Sequence, residues 1–155
     1  MENIILGSAG WRNKYAGKNN ILSNAEIRTL LLEIPNSGIK HIDTAPSYGD
    51  AEEMILQWAD QSTRIDTKLD KFDGLKDFQN QLKKLGRSIN RIHTIYFHDP
   101  EIVKKNSSRE LAQYYEEIKK RDCKMGFSLY DIESFETAYS IFSTLAQAIL
   151  KSIIL

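Results

Sequence analysis

The chain has a single cysteine, Cys123, in 155 residues. One thiol excludes an intramolecular disulfide and any cysteine-rich metal site. Net charge is lacking as well. The 21 basic residues balance 21 acidic ones, so the charge balance does not point to nucleic acid or an anionic membrane as a partner. Lys83, Lys84 and Arg87 form a small basic group, but acidic residues surround it and it reads as a solvated helix face. Long apolar runs are also missing. The most apolar segment, residues 141–155, is interrupted by Lys151 and several polar residues and falls short of the ~20 residues a membrane helix requires. The start, Met1-Glu2-Asn3-Ile4, has neither the basic lead nor the apolar stretch of a signal peptide. These absences leave the cytoplasm as the expected location. No linker or low-complexity tract divides the chain, and its length suits one domain, residues 1–155, with its own core.

What is present is an alternating series of short apolar runs and amphipathic stretches. Ile4-Ile5-Leu6 reads as a first strand, running into the small-residue stretch Gly7-Ser8-Ala9-Gly10-Trp11 with no helix directly after it. Such a stretch lets backbone approach a ligand closely. Ser23 and Glu26 make a capping box for a first helix. Ile27, Leu30, Leu31 and Ile34 share one face of that helix, and Pro35 and Gly38 are expected to stop it.

A second strand over residues 39–42 ends at Asp43, and the next helix starts near Asp50. Arg64-Ile65-Asp66-Thr67 leads up to Lys68 as the third strand. Asp73 is the expected cap of a helix striped by Leu75, Phe78, Leu82 and Leu85, which Gly86 ends. The fourth strand, residues 92–97, is rich in β-branched and aromatic residues and stops at His98-Asp99-Pro100. Leu111, Tyr114, Tyr115 and Ile118 stripe another helix, Lys124-Met125-Gly126-Phe127 forms a fifth strand, and Ile132, Phe135 and Tyr139 open a fifth helix. The aromatic residues on these stripes are expected in the core.

Strict strand–helix alternation predicts a parallel sheet, because parallel strands need a crossover between them. An open doubly wound sheet and part of a closed barrel both fit, and both place active residues at the carboxyl ends of strands. A complete eight-stranded barrel takes ~250 residues, so five strand–helix units in this chain would leave a barrel unfinished.

The strand ends carry chemistry. Asp43, Lys68, His98 and Ser128 follow at intervals of 25, 30 and 30 residues, with Tyr48 just beyond Asp43. One strand plus one helix takes roughly 30 residues, so this rhythm brings the side chains to one edge of one sheet. An acid, a phenol, an amine and an imidazole together can reduce a carbonyl. A proton must reach oxygen as hydride reaches carbon. A free phenol, with a pKa of about 10, parts with its proton reluctantly, and a nearby ammonium stabilises the phenolate. Lys68 fills that place for Tyr48, Asp43 would hold the lysine, and His98 could orient the substrate oxygen. No metal is required. Each residue alone has an ordinary explanation in a turn, a surface or a loop; the case rests on their coincidence.

The stretch His41-Ile42-Asp43-Thr44-Ala45-Pro46-Ser47-Tyr48-Gly49-Asp50-Ala51-Glu52 resembles the signature of the aldo/keto reductase family. Thr67-Lys68 resembles its lysine motif, Tyr96-Phe97-His98-Asp99-Pro100 its histidine motif, and Gly126-Phe127-Ser128 its fifth-strand motif, in register over residues 4 to about 143. The resemblance implies a (β/α)8 barrel of the TIM type, here incomplete, binding NADPH (NADP) in extended form. By motif, Tyr48 would be the general acid, Lys68 and Asp43 its tuning pair, and His98 the group that orients a small carbonyl substrate. Ser128 would meet the nicotinamide carboxamide, and Gly10 and Trp11 would lie beside the coenzyme.

Two departures stand out. Leu129 follows the serine where many members have asparagine. The last three strands, with the family's nicotinamide-stacking aromatic and 2′-phosphate groups, are absent, and the tail at 144–155 is atypical. The reading is therefore the catalytic half of an NADP(H)-dependent aldehyde or ketone reductase, weak or inactive alone, with self-association through the open sheet edges expected. The alternatives are a non-catalytic remnant acting as an interaction module, and a barrel lyase using Lys68 as a Schiff base.

Overall fold

The computed structural model describes residues 4–14 and 21–153, the side chains of Arg87 and of residues 144–153 excepted. Five strands form one parallel sheet: β1 (Ile5–Gly7), β2 (His41–Asp43), β3 (Arg64–Leu69), β4 (Ile92–Phe97) and β5 (Lys124–Phe127). Their order is sequential, β1-β2-β3-β4-β5, and every neighbouring pair is parallel. A doubly wound sheet reverses its strand order at a switch point. A run without reversal is the arrangement of a barrel wall, and β1 and β5 are left as unpaired edges among the described residues.

Helices α1 (Ala9–Arg12), α2 (Asn24–Ser37), α3 (Ala51–Trp58), α4 (Gly74–Lys84), α5 (Glu101–Lys105), α6 (Ser108–Lys119) and α7 (Ile132–Ile153) fill the connections, with a 3₁₀ segment at Gly86–Arg91. The capping box of α2 is present in both directions, Ser23 Oγ accepting from the Glu26 N–H and Glu26 from the Ser23 N–H. Pro35, however, lies inside α2. It falls in the last turn, where its missing N–H removes one bond and the residues after it still donate. Gly38, at φ 79°, makes the actual stop in the left-handed conformation.

Other boundaries differ from expectation for equally local reasons. The one-turn α1 follows β1 directly, held by the Trp11 N–H on the Ser8 carbonyl. Asp73 makes no side-chain cap; its own N–H donates to Asp77 Oδ2 instead. Gly86, by contrast, follows the Leu85 cap and at φ 53° ends α4 as expected, and it also opens the 3₁₀ segment that leads into β4.

The core lies between the outer face of the sheet and the helices. Ile65, Ile95 and Phe97 meet Ile27, Leu31, Phe78, Leu111 and Ile118 there, all at most 2% exposed. Phe72, Phe78, Phe97 and Tyr114 make one aromatic cluster, with ring centroids 4.8–6.0 Å apart. Such tilted and edge-on pairs add to simple area burial.

The aromatic stripe of α7 breaks the expected pattern. Ile132, Phe135 and Tyr139 are 76, 57 and 67% exposed, while Ser134 and Ala138 are buried. The helix packs against α5 and α6 through its small-residue face, which permits close approach and turns the large side chains outward. Tyr115 is likewise only partly buried, with the Lys119 ammonium 5.8 Å from its ring centre.

On the concave side the sheet is polar, and one glycine decides its packing. A Cβ built on Gly126 would lie 2.5 Å from Tyr96 Cε1 and 2.6 Å from Cδ1. The Tyr96 ring therefore lies over bare backbone of β5. Gly126→Ala should destabilise the chain by about 1–3 kcal/mol in urea unfolding, the usual cost of overpacking. Because the clash is with ring carbons, the cost should shrink in a Tyr96→Val background.

Candidate active site

The carboxyl ends of β2, β3 and β4 come together on one rim. Asp43 closes β2, and its carbonyl accepts from both the N–H and the hydroxyl of Ser8, each at 3.0 Å. Beyond it the chain turns, with the Tyr48 N–H on the Ala45 carbonyl. Gly49, at φ 69°, lets this turn close: a Cβ there would lie 2.9 Å from Arg12 Cβ. Arg12 in turn ion-pairs with Asp50 at 2.5 Å. The turn bearing Tyr48 is thus clamped to α1.

Lys68 is the centre of the arrangement. Strand period puts it two residues beyond Asp66 on the same face, and its Nζ donates to Asp43 Oδ1 and Oδ2, both at 2.6 Å, and to the Thr44 carbonyl at 3.0 Å. All three ammonium protons therefore have acceptors, as a residue only 8% exposed requires. The Tyr48 ring lies with its centre 5.1 Å from Lys68 Nζ. His98 meets Tyr48 edge-on, ring centres 6.4 Å apart. Its N–H donates to the Leu69 carbonyl at 3.2 Å, extending the β3–β4 ladder by one residue.

The structure thus brings together Asp43, Tyr48, Lys68 and His98. Ser128 sits at the end of β5, its N–H on the Phe97 carbonyl at 2.9 Å, one strand beyond the group. Gly10 is exposed on α1, whereas Trp11 is buried in the hydrophobic core. Beside His98 is a cavity of about 320 Å³, lined by Leu69, Asp70, Phe72, Phe97, Asp99 and Ile102 among others. That is within the size range of small-molecule sites.

One residue on this face and one behind the strand lay outside the sequence reading of its chemistry. Tyr96 faces the same side as Lys68, its register partner. Burial first, then the charges of Asp66 and Asp43, push its hydroxyl above the ordinary phenol range. Glu52 accepts a hydrogen bond from Thr67 Oγ1. Alternation along β3 and β4 was the available signal for Tyr96; Glu52 stood inside the recognised motif without an assigned part.

These residues fit the reacting end of a nicotinamide coenzyme. Ser128 offers a half-buried hydroxyl at the strand end, one strand from half-buried His98 and Tyr48, with Lys68 buried beneath them. The phosphates find less here. Lys68 is committed to Asp43, and Lys71 pairs with Asp99 at 3.5 Å.

A parallel, sequentially ordered sheet with polar groups at its carboxyl ends defines an incomplete α/β barrel scaffold. Comparison with protein-family models matches the aldo/keto reductase family over residues 3–149. The chain belongs to that family.

Two solved structures from Pseudomonas aeruginosa share the fold, both assigned as aldo-keto reductases. The first, PA4992, has 23% identity and a TM-score of 0.63, covering 85% of this chain and 57% of its own. The second has 22% identity and a TM-score of 0.61, covering 85% and 56%. The chain therefore spans a little over half the length of these relatives, and its five parallel strands form an incomplete barrel. A search of curated proteins found no match.

Glu52 provides a test of the electrostatics. Burial raises its carboxyl above the ordinary 4.5, the Thr67 hydrogen bond and Lys68 opposing and Asp70 adding to the shift. A raised carboxyl binds its proton more tightly folded than unfolded. The folded state is thus favoured at low pH and loses that advantage as pH rises from the ordinary carboxylate value through the raised one. Glu52→Gln keeps an acceptor for Thr67 without the charge. Its stability relative to the parent should therefore be greater at about pH 8 than at about pH 4, read from urea midpoints.

Proposed function

We propose that this chain carries the catalytic half of an NADP(H)-dependent reductase of aldehydes or ketones, with Tyr48 as general acid. The observation that carries the reading is the contact of Lys68 Nζ with both Asp43 oxygens at 2.6 Å, 5.1 Å from the centre of the Tyr48 ring, with His98 against the same ring. The coenzyme, when bound, supplies hydride to the carbonyl carbon. Tyr48 gives its hydroxyl proton to the carbonyl oxygen, and the Lys68 ammonium stabilises the phenolate left behind. Asp43 fixes the lysine, and His98 donates a hydrogen bond that orients the substrate oxygen. Ser128 and the exposed backbone at Gly10 are the proposed coenzyme contacts. Trp11, buried in the core, anchors the α1 turn that carries Gly10. The reading carries with it a small carbonyl substrate and a cytoplasmic location.

A Schiff-base role for Lys68 fits the geometry poorly. All three of its protons are engaged by Asp43 and Thr44, so no lone pair faces a substrate. The non-catalytic alternative separates from the reductase by coenzyme binding. Titration with NADPH should quench tryptophan emission in the micromolar range. Tyr48→Phe should keep that binding and lose roughly 10²–10⁴-fold in turnover. Absence of binding at millimolar NADPH would sink the reductase reading in favour of an interaction module.

The two unpaired edges, β1 and β5, lead to a second proposal, self-association of the chain. Light scattering should then give a mass above that of the 17.8 kDa monomer.

A further inference from the structure

Below the Asp43–Lys68 pair, the concave face of the sheet holds a second polar cluster that carbonyl reduction does not use. His41, Asp66 and His93 come from three neighbouring strands, β2, β3 and β4. The two-residue period places His41 on the face of Asp43 and Asp66 on the face of Lys68. His93 joins them through an irregularity in register. Ile65 pairs with Ile92 but Asp66 pairs with Thr94, so His93 is the extra residue of a bulge, and bulges re-aim side chains.

The three side chains converge. His41 Nε2 lies 2.8 Å from Asp66 Oδ2, and His93 Nδ1 lies 3.5 Å from Asp66 Oδ1. The two imidazoles stand edge-on, ring centres 5.5 Å apart. One ligand atom from each residue fits within a set no wider than 4.8 Å.

The hydrogen bonding of this cluster is incomplete. Asp66 is 2% exposed, and burying a carboxylate that deeply is costly unless its oxygens are engaged. Yet Asp66 Oδ1 and His41 Nε2 are both buried atoms without a hydrogen-bond partner. The His41–Asp66 contact is close enough for a hydrogen bond but bent out of line for one. His93 Nδ1 has a hydrogen-bond partner, Thr94 Oγ1 at 3.0 Å, which a bound cation would displace. Two imidazole nitrogens and a carboxylate oxygen suit zinc and related first-row cations. Tetrahedral zinc spaces its ligand atoms about 3.3 Å apart; the contacts of 2.8 and 3.5 Å go to different Asp66 oxygens, so a set of one atom per residue spans up to 4.8 Å and the side chains must draw in around the ion.

We propose that His41 Nε2, Asp66 and His93 Nδ1 form a divalent-cation site, with Zn²⁺ as the ion its donors suit best and water as the remaining ligand. The cation occupies the orphaned carboxylate oxygen and clamps β2, β3 and β4 one layer below the rim. The site stands independently of the reductase reading, because none of its three ligands belongs to the Asp43–Tyr48–Lys68–His98 group.

The test is titration of the chelator-treated full chain with Zn²⁺, by calorimetry and by competition with a chromophoric chelator. One Zn²⁺ per chain is expected. Asp66→Asn, His41→Gln and His93→Gln should each weaken binding at least ~10–100-fold, the loss already seen when only an outer-sphere partner is removed. The two histidine side chains are 21 and 26% exposed, against 3% for Asp66, so their variants keep the test open if Asp66→Asn does not fold. Zn²⁺ should raise the thermal midpoint of the parent by more than it raises those of the three variants. Cys123→Ser and His98→Gln should bind as the parent does. No stoichiometric binding at millimolar Zn²⁺, or binding lost in Cys123→Ser or His98→Gln but kept in His41→Gln and His93→Gln, would overturn the site.

Discussion

Asp43 and Lys68 face each other across the seam between β2 and β3, and the rim around them is arranged to satisfy that pair. A lysine this deeply buried destabilises a fold unless its ammonium is fully engaged. Here two carboxylate oxygens and the Thr44 carbonyl take its three protons. The geometry also depends on stagger. The Cα of Asp43 is opposite Asp66, yet its side chain reaches Lys68, two residues further along β3. Side chains on one face of neighbouring strands permit that diagonal, two residues along, when one of them is as long as lysine. The Tyr48 turn, clamped by Arg12 and Gly49, then brings a phenol to the remaining side of the ammonium.

The sheet supports this rim by dividing its labour between two faces. The outer face is apolar, and the aromatic cluster of Phe72, Phe78, Phe97 and Tyr114 is packed against it. Phe97 immediately precedes His98, so the packing that immobilises one ring also fixes where the next residue leaves the strand. The inner face carries Asp43, Lys68, Tyr96 and, one layer lower, His41, Asp66 and His93. Polar groups in layers on a concave sheet draw on one another's fields, as the upward push on the Tyr96 hydroxyl from Asp66 and Asp43 illustrates. The bare backbone at Gly126 gives Tyr96 the room to lie within that polar layer.

Much of this was legible before any coordinates. The Ser23–Glu26 box is a local hydrogen-bond exchange and formed as written. The fourth strand matched residue for residue, because β-branched and aromatic side chains leave few other options. The coincidence of Asp43, Tyr48, Lys68 and His98 at strand ends also carried over into space. Other features were not local. Pro35 sits inside α2 because the cost of proline depends on its distance from the helix end. The large side chains of α7 face outward because α5 and α6 offer a surface that Ser134 and Ala138 fit more closely. The His41–Asp66–His93 cluster depends on a register shift that no single strand encodes.

The sequence by itself determined what depends on neighbours along the chain: where elements begin, how they alternate, and which polar residues end the strands. These follow from caps, periodicity and turn chemistry, which act over a few residues. The tertiary structure decided what depends on neighbours across the sheet. It selected a barrel wall over a doubly wound sheet through strand order, and it bonded Lys68 to Asp43 through stagger. A bulge between β3 and β4 set His93 beside a buried carboxylate. Such pairings join residues 25 or more positions apart, and only the packing of one strand on the next fixes which of them meet.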